Sequence, residues 1–115
     1  MKMVSVNNEA SIATWYLAKK QSANDRNIEF NLSLMSFINM AKAKRCYYTG
    51  VTLTIGNRTI DRIDASKGYI PGNVVACCKT FNQFKGVIEN SINSLDLNTA
   101  IKGLVKAKIR IDKLD

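Results

Sequence analysis

A small α+β domain is the fold class predicted by three observations. Apolar residues recur at helical spacing towards both ends of the chain, β-branched residues alternate in its middle, and turn residues punctuate the passages between. With 115 residues, 46% of them hydrophobic, the chain can bury one modest core, which predicts a single domain over residues 1–115.

The first helix is expected over residues 9–20, capped by Asn7 or Asn8, with Ile12, Trp15, Tyr16 and Lys19 on one face. "SANDRN" breaks that pattern and a short extended "IEFNL" follows. Ser33 then caps a second helix to about residue 44, with Leu34, Phe37, Ile38 and Ala41 on one stripe. In "VTLTIGNRTIDRI", β-branched residues flank Gly56-Asn57, which predicts a hairpin with a tight turn. Gly68 is assigned a positive φ, and Pro71-Gly72 the centre of a type II turn. Asn73 can cap a third helix over residues 74–89, with Val74, Cys77, Cys78, Phe81, Phe84 and Ile88 as its apolar stripe and Asn82 along the stripe's edge. Asp96 caps a last helix over residues 97–111, where Lys102, Lys106, Arg110 and Lys113 make one basic face.

Seventeen Lys and Arg against nine Asp and Glu give a net charge of +8. Polyanions, nucleic acid first, are the partners this charge favours over the alternative of a merely solvated basic surface. The start "MKMVSVNNEA" carries no apolar run, so neither a secretory leader nor a membrane span is expected. Three cysteines, an odd number with an adjacent pair, suit reduced thiols and a cytoplasmic setting.

Four blocks in order, "CYYTG" at 46–50, "IDRID" at 60–64, "KGYIPGNV" at 67–74 and "CKTFNQFKG" at 78–86, carry a more specific signal. Over about residues 26–86 the chain resembles the HNH, or ββα-metal (His-Me finger), endonucleases, and in particular the small HNH-like proteins of phages with "DRID" in place of a His-containing motif. The resemblance implies a ββα-metal core flanked by N-terminal helices and a basic C-terminal helix, and phosphodiester hydrolysis assisted by a divalent cation such as Mg²⁺. It puts Asp61 at the metal-ligand carboxylate, Asn82 at the helix ligand and Asn73 at the brace of the intervening loop. Arg62 falls where the general-base histidine belongs, and the chain contains no histidine. A guanidinium cannot accept a proton, so Arg62 is left with phosphate binding. Asp64, on the same strand face if the strand extends that far, is the substitute base.

Each of these residues also has a plainer role: Asp61 as a turn or salt-bridge carboxylate, Asn73 as a helix cap, Asn82 as a polar residue at the core margin. Trp15, Tyr16 and Tyr47 can stack on bases or pack in the core. Arg58, Lys67, Lys79 and Lys85 join the basic face of the last helix as candidate nucleic-acid contacts, with DNA favoured over RNA. Two C-x-x-C knuckles hold a structural zinc in many HNH proteins, but here each keeps only its first cysteine, Cys46 or Cys78. No structural zinc is expected; Phe81 and its neighbours fill that space, with Cys46 and Cys78 close together. The implied function is a phage-encoded, HNH-type nucleic-acid-binding protein acting in the host cytoplasm, with weak or lost cleavage. The alternative is an inactive HNH fold reused as a binding module or inhibitor of host nucleic acid or of a host nucleic-acid enzyme.

Overall fold

The computed structural model describes residues 9–90 and 96–114. It contains α1 (Glu9–Asp25), α2 (Leu34–Ala41), β1 (Arg58–Arg62), β2 (Val74–Cys78), α3 (Lys79–Asn90) and α4 (Leu97–Leu114). Helix and strand are thus mixed, as the α+β expectation holds. The chain divides into two compact units, residues 1–82 and 83–115.

In the first unit α1 packs on α2. Ile12, Trp15 and Tyr16 face the core as the periodicity predicts, but α1 continues one turn past residue 20, because Ala23 extends the stripe and is itself fully buried. The predicted caps Asn7 and Asn8 lie outside the described residues. At its C-terminus Asn27 adopts φ 56°. The Ile28 N–H reaches the Ala23 carbonyl at 2.8 Å and the Asn27 N–H the Asn24 carbonyl at 3.1 Å, the paired bonds of a Schellman end. Phe30 then bridges Tyr69 in parallel, so "IEFNL" is extended as expected.

Ser33 caps α2, its hydroxyl accepting from the Ser36 N–H at 3.1 Å. Phe37, Ile38 and Ala41 are buried, whereas Leu34 is exposed. The helix stops at Ala41 rather than near 44, since the next residues pair elsewhere: Lys44 accepts from Leu53 and Cys46 donates to Val51, both at 2.8 Å. Trp15 and Tyr16 meet the Phe37 ring edge-on at 5.0 and 5.3 Å, so both half-buried aromatics pack against the core.

The middle of the chain corrects two expectations. Gly56-Asn57 does not join two paired strands. The Asn57 side chain instead accepts from the Thr54 N–H at 2.7 Å and donates to the Thr52 carbonyl at 3.1 Å, closing a local turn. Nor is 74–78 helical. β2 pairs antiparallel with β1, in the register Arg58 to Cys78 and Arg62 to Val74. The third helix therefore starts at Lys79, and its predicted stripe through Val74, Cys77 and Cys78 belongs to a strand. Between the strands, Gly72 has φ 84° and the Asn73 N–H reaches the Ile70 carbonyl at 3.0 Å, the type II turn expected at Pro71-Gly72. Gly68 serves a different purpose from the one predicted. A Cβ there would lie 2.6 Å from the Glu29 carbonyl oxygen, so glycine permits close backbone approach rather than a positive φ.

The second unit holds the rest of α3 and α4. Asp96 caps α4 as predicted, accepting from the Thr99 N–H at 2.8 Å and the Thr99 hydroxyl at 3.0 Å. The helix runs to Leu114, a turn beyond 111, with Lys113 in its last turn, and Lys108 pairs with Asp112 at 2.6 Å. Among the described residues, no helix is long and apolar enough to cross a membrane.

Candidate nucleic-acid and metal site

β1, an 11-residue connection, β2 and α3 follow one another, and the candidate residues are distributed along them. Asp61 sits near the end of β1, opposite Val75, and is only 8% exposed. Its Oδ2 accepts a hydrogen bond from the Tyr48 hydroxyl at 2.7 Å. The Tyr48 ring in turn packs on Phe81 of α3 with centroids 4.9 Å apart. Asn82, the next residue along, is half-buried. Tyr48 thus links the strand that carries Asp61 to the helix that carries Asn82.

Asn73 is not a helix cap, because β2 follows it. Buried at 7% exposure, its amide ties the connection shut. Oδ1 accepts from the Asp64 N–H at 2.9 Å, and Nδ2 donates to the Asp64 carbonyl at 3.1 Å and the Gly68 carbonyl at 2.9 Å. Three bonds from one side chain hold both ends of the 64–68 bend against β2, where a satisfied amide is worth more than in water.

Arg62 and Asp64 are also engaged in this connection. Arg62 Nη1 donates to the Ala65 and Lys67 carbonyls at 2.8 and 2.9 Å, and the guanidinium carbon stands 5.3 Å from the Tyr69 ring centre. β1 ends at Arg62, so Asp64 does not share its strand face. Asp64 Oδ1 instead accepts from the Ser66 N–H at 2.9 Å and the Ser66 hydroxyl at 2.6 Å, an Asx turn.

The basic residues fall into separate groups. Arg58, expected on the surface, is buried at 8% exposure with its Nη1 on the Ala43 carbonyl, and burial lowers its pKa. Lys85 pairs with Glu89 at 2.6 Å. Lys67 and Lys79 in the first unit are exposed, as are Lys102, Lys106, Arg110 and Lys113 in the second. Tyr47, at 64% exposure, is open to solvent.

Cys46, Cys77 and Cys78 are free, buried thiols in one cluster with Leu53, against which Tyr48 and Phe81 pack. Phe81 thus packs on the cluster that holds Cys46 and Cys78. Burial pushes the Cys46 thiol up, but the Thr49 hydroxyl and the backbone N–H groups of Cys78, Thr49 and Tyr48 outweigh it and lower the pKa from 9.0 to about 6. Burial, followed by the charge of Cys46, pushes Cys77 up to about 12. Because Cys46 has a folded pKa below its unfolded one, its contribution to stability is complete above pH 9 and is lost as pH falls through 6. Cys77, shifted the other way, contributes below pH 9 and loses that contribution as pH rises through 12. The urea midpoint is therefore expected to climb between pH 6 and 9 more steeply in wild type than in Cys46→Ser.

Among the described residues, no three His, Cys, Asp or Glu side chains gather as a metal cluster. A carboxylate from β1 and a carboxamide from α3 are hard oxygen donors, however, and one or two such ligands suffice for Mg²⁺, which keeps several waters. Oxygen donors of this type are the ones a magnesium-like cation takes.

No family model matches the chain, and no solved structure matches it. Its sequence is 33% identical over 102 residues to an uncharacterized 29.0 kDa protein from the dda-modA intergenic region of Enterobacteria phage T4. The match takes in 82% of this chain, which spans about 40% of the length of that relative.

Proposed function

We propose that this chain is a phage-encoded, HNH-type nucleic-acid-binding protein, derived from a metal-dependent phosphodiester endonuclease, in which cleavage is weak or lost. The observation that carries this reading is the buried Asn73 amide, which braces the connection between β1 and β2 through its bonds to Asp64 and Gly68. The antiparallel pair followed directly by α3, with Asp61 on the first strand, supports the same reading. So do the net charge of +8 and the likeness to a phage T4 protein.

In this scheme Asp61 and Asn82 hold the cation, and Lys67, Lys79 and the basic face of α4 bind backbone phosphates, with DNA the preferred polymer. A bound Mg²⁺ offsets charge on the scissile phosphate and the leaving oxygen. General-base help is worth about 10²–10⁴ in rate, and no histidine supplies it.

One observation favours the inactive alternative. Arg62 and Asp64, the residues left to handle phosphate and proton, both contribute hydrogen bonds to the shape of the connection. The fold then serves as a binding module for host nucleic acid or for a host nucleic-acid enzyme. Supercoiled plasmid and single-stranded DNA incubated with Mg²⁺ or Mn²⁺ separate the two. Slow cleavage that disappears in Asp61→Ala establishes the enzyme. Binding without cleavage, falling steeply with salt, establishes the module. Absence of both, with capture of a host protein, moves the function to a protein partner.

A further inference from the structure

Tyr48 is not accounted for by the residues assigned to the site, yet it makes the closest side-chain contact described for Asp61. Its hydroxyl donates to Asp61 Oδ2 at 2.7 Å across 13 residues of sequence. Its ring lies against Phe81 at 4.9 Å and meets Tyr47 edge-on at 5.2 Å.

The "CYYTG" turn has the local bonds needed to present this side chain. The Cys46 N–H donates to the Val51 carbonyl at 2.8 Å, and the Gly50 N–H returns to the Cys46 carbonyl at 2.9 Å, with Gly50 at φ 74°. The Tyr47 N–H donates to the Ala76 carbonyl at 2.9 Å, fixing the turn alongside β2. The backbone on either side of Tyr48 is therefore held to β2 and to itself, and the ring packs against Phe81 and Tyr47. A carboxylate on a strand can rotate about χ1 and χ2; a hydroxyl delivered from so constrained a ring selects one of its orientations.

We propose, resting on the metal-site reading of Asp61, that Tyr48 is the positioning residue of that site. It orients the Asp61 carboxylate towards a divalent cation and sets the distance between β1 and the first turn of α3, where Asn82 resides. Magnesium and manganese demand near-octahedral geometry, so loss of orientation costs affinity even when both ligands remain. Outer partners of metal-ligating carboxylates are worth about 10–100-fold in affinity.

The test is Mn²⁺ binding to the full chain, followed by electron paramagnetic resonance of the free ion, in wild type, Asp61→Asn, Tyr48→Phe and Asp61→Glu. Tyr48→Phe keeps the ring contact with Phe81 and removes only the hydroxyl. Its Kd is expected to rise by about tenfold or more, with the near-ultraviolet circular dichroism spectrum retained. Asp61→Glu keeps the charge but carries the carboxylate past the hydroxyl, and is expected to lose a similar factor even if Tyr48→Phe does not fold. Wild-type affinity in Tyr48→Phe, beside loss in Asp61→Asn, overturns the role of Tyr48 and leaves the metal site standing. Equal binding by wild type and Asp61→Asn, or none by wild type, overturns the metal site and the role of Tyr48 with it.

Discussion

Arg62→His is expected to raise Mg²⁺-dependent cleavage of plasmid DNA by about 10²–10⁴ over wild type, the usual worth of a general base. The substitution supplies an imidazole able to accept a proton near neutral pH, at the position where the family resemblance puts the base. It also removes two bonds from Arg62 Nη1 to the Ala65 and Lys67 carbonyls and the stack on Tyr69. Those carbonyls are in exposed contacts that water can replace, so the stability cost should be about 1–2 kcal/mol. That is affordable for a fold stable by about 5–15 kcal/mol, and the gain in rate dominates. Adding Asp61→Ala to Arg62→His should abolish the gain. An Arg62→His variant that folds, binds DNA and cleaves no faster than wild type contradicts the assignment of position 62.

Asn73→Ala is expected to destabilise the fold by about 2–4 kcal/mol, read as a shift in the urea midpoint. The side chain makes three bonds, one of them fully buried, and its removal strands the Asp64 N–H and the Asp64 and Gly68 carbonyls near the interior. A helix-cap asparagine replaced by alanine costs about 1 kcal/mol, so the magnitude separates a loop brace from a cap. Asn73→Asp should be worse than alanine at neutral pH, because it faces a carboxylate towards two carbonyl oxygens. A loss below about 0.5 kcal/mol in Asn73→Ala, the range of an ordinary surface substitution, contradicts the brace.

Helices were the most legible part of the sequence because their signals are local. Ser33 and Asp96 announce their caps by type and place, and the stripe of Ile12, Trp15 and Tyr16 is periodic within one element. The β1–β2 pairing was not legible. "VVACC" is an apolar run of five, too short for period alone to separate strand from buried helix, and what decides it is pairing with residues 58–62 far up the chain. The Gly56-Asn57 pair carried the composition of a hairpin turn, but the Asn57 side chain closes the loop on Thr52 and Thr54 instead.

The candidate site was legible in part for the same reason. Asp61, Asn73 and Asn82 came from the order of motif blocks, and the structure brings Asn73 onto the connection beside Asp64. Nothing in the spacing marks Tyr48, whose contact with Asp61 depends on how the 46–50 turn lies against β2. In "CYYTG" the cysteine stands out by type, whereas the second tyrosine has no spacing that distinguishes it from a core aromatic. Arg58 shows the opposite failure: charge counted from sequence as surface is buried against the Ala43 carbonyl.

The most direct measurement of the central claim is affinity cleavage of the polypeptide by an added metal ion. With Fe²⁺ in place of Mg²⁺, and ascorbate and peroxide present, hydroxyl radicals form where the ion is bound, and mass spectrometry locates the backbone cuts. A site on Asp61 and Asn82 should give two cut clusters, one around residue 61 and one around residue 82, both suppressed by excess Mg²⁺ and absent in Asp61→Asn. Cuts spread along the chain, or concentrated at Asp96 and Asp112 and unchanged in Asp61→Asn, contradict the site.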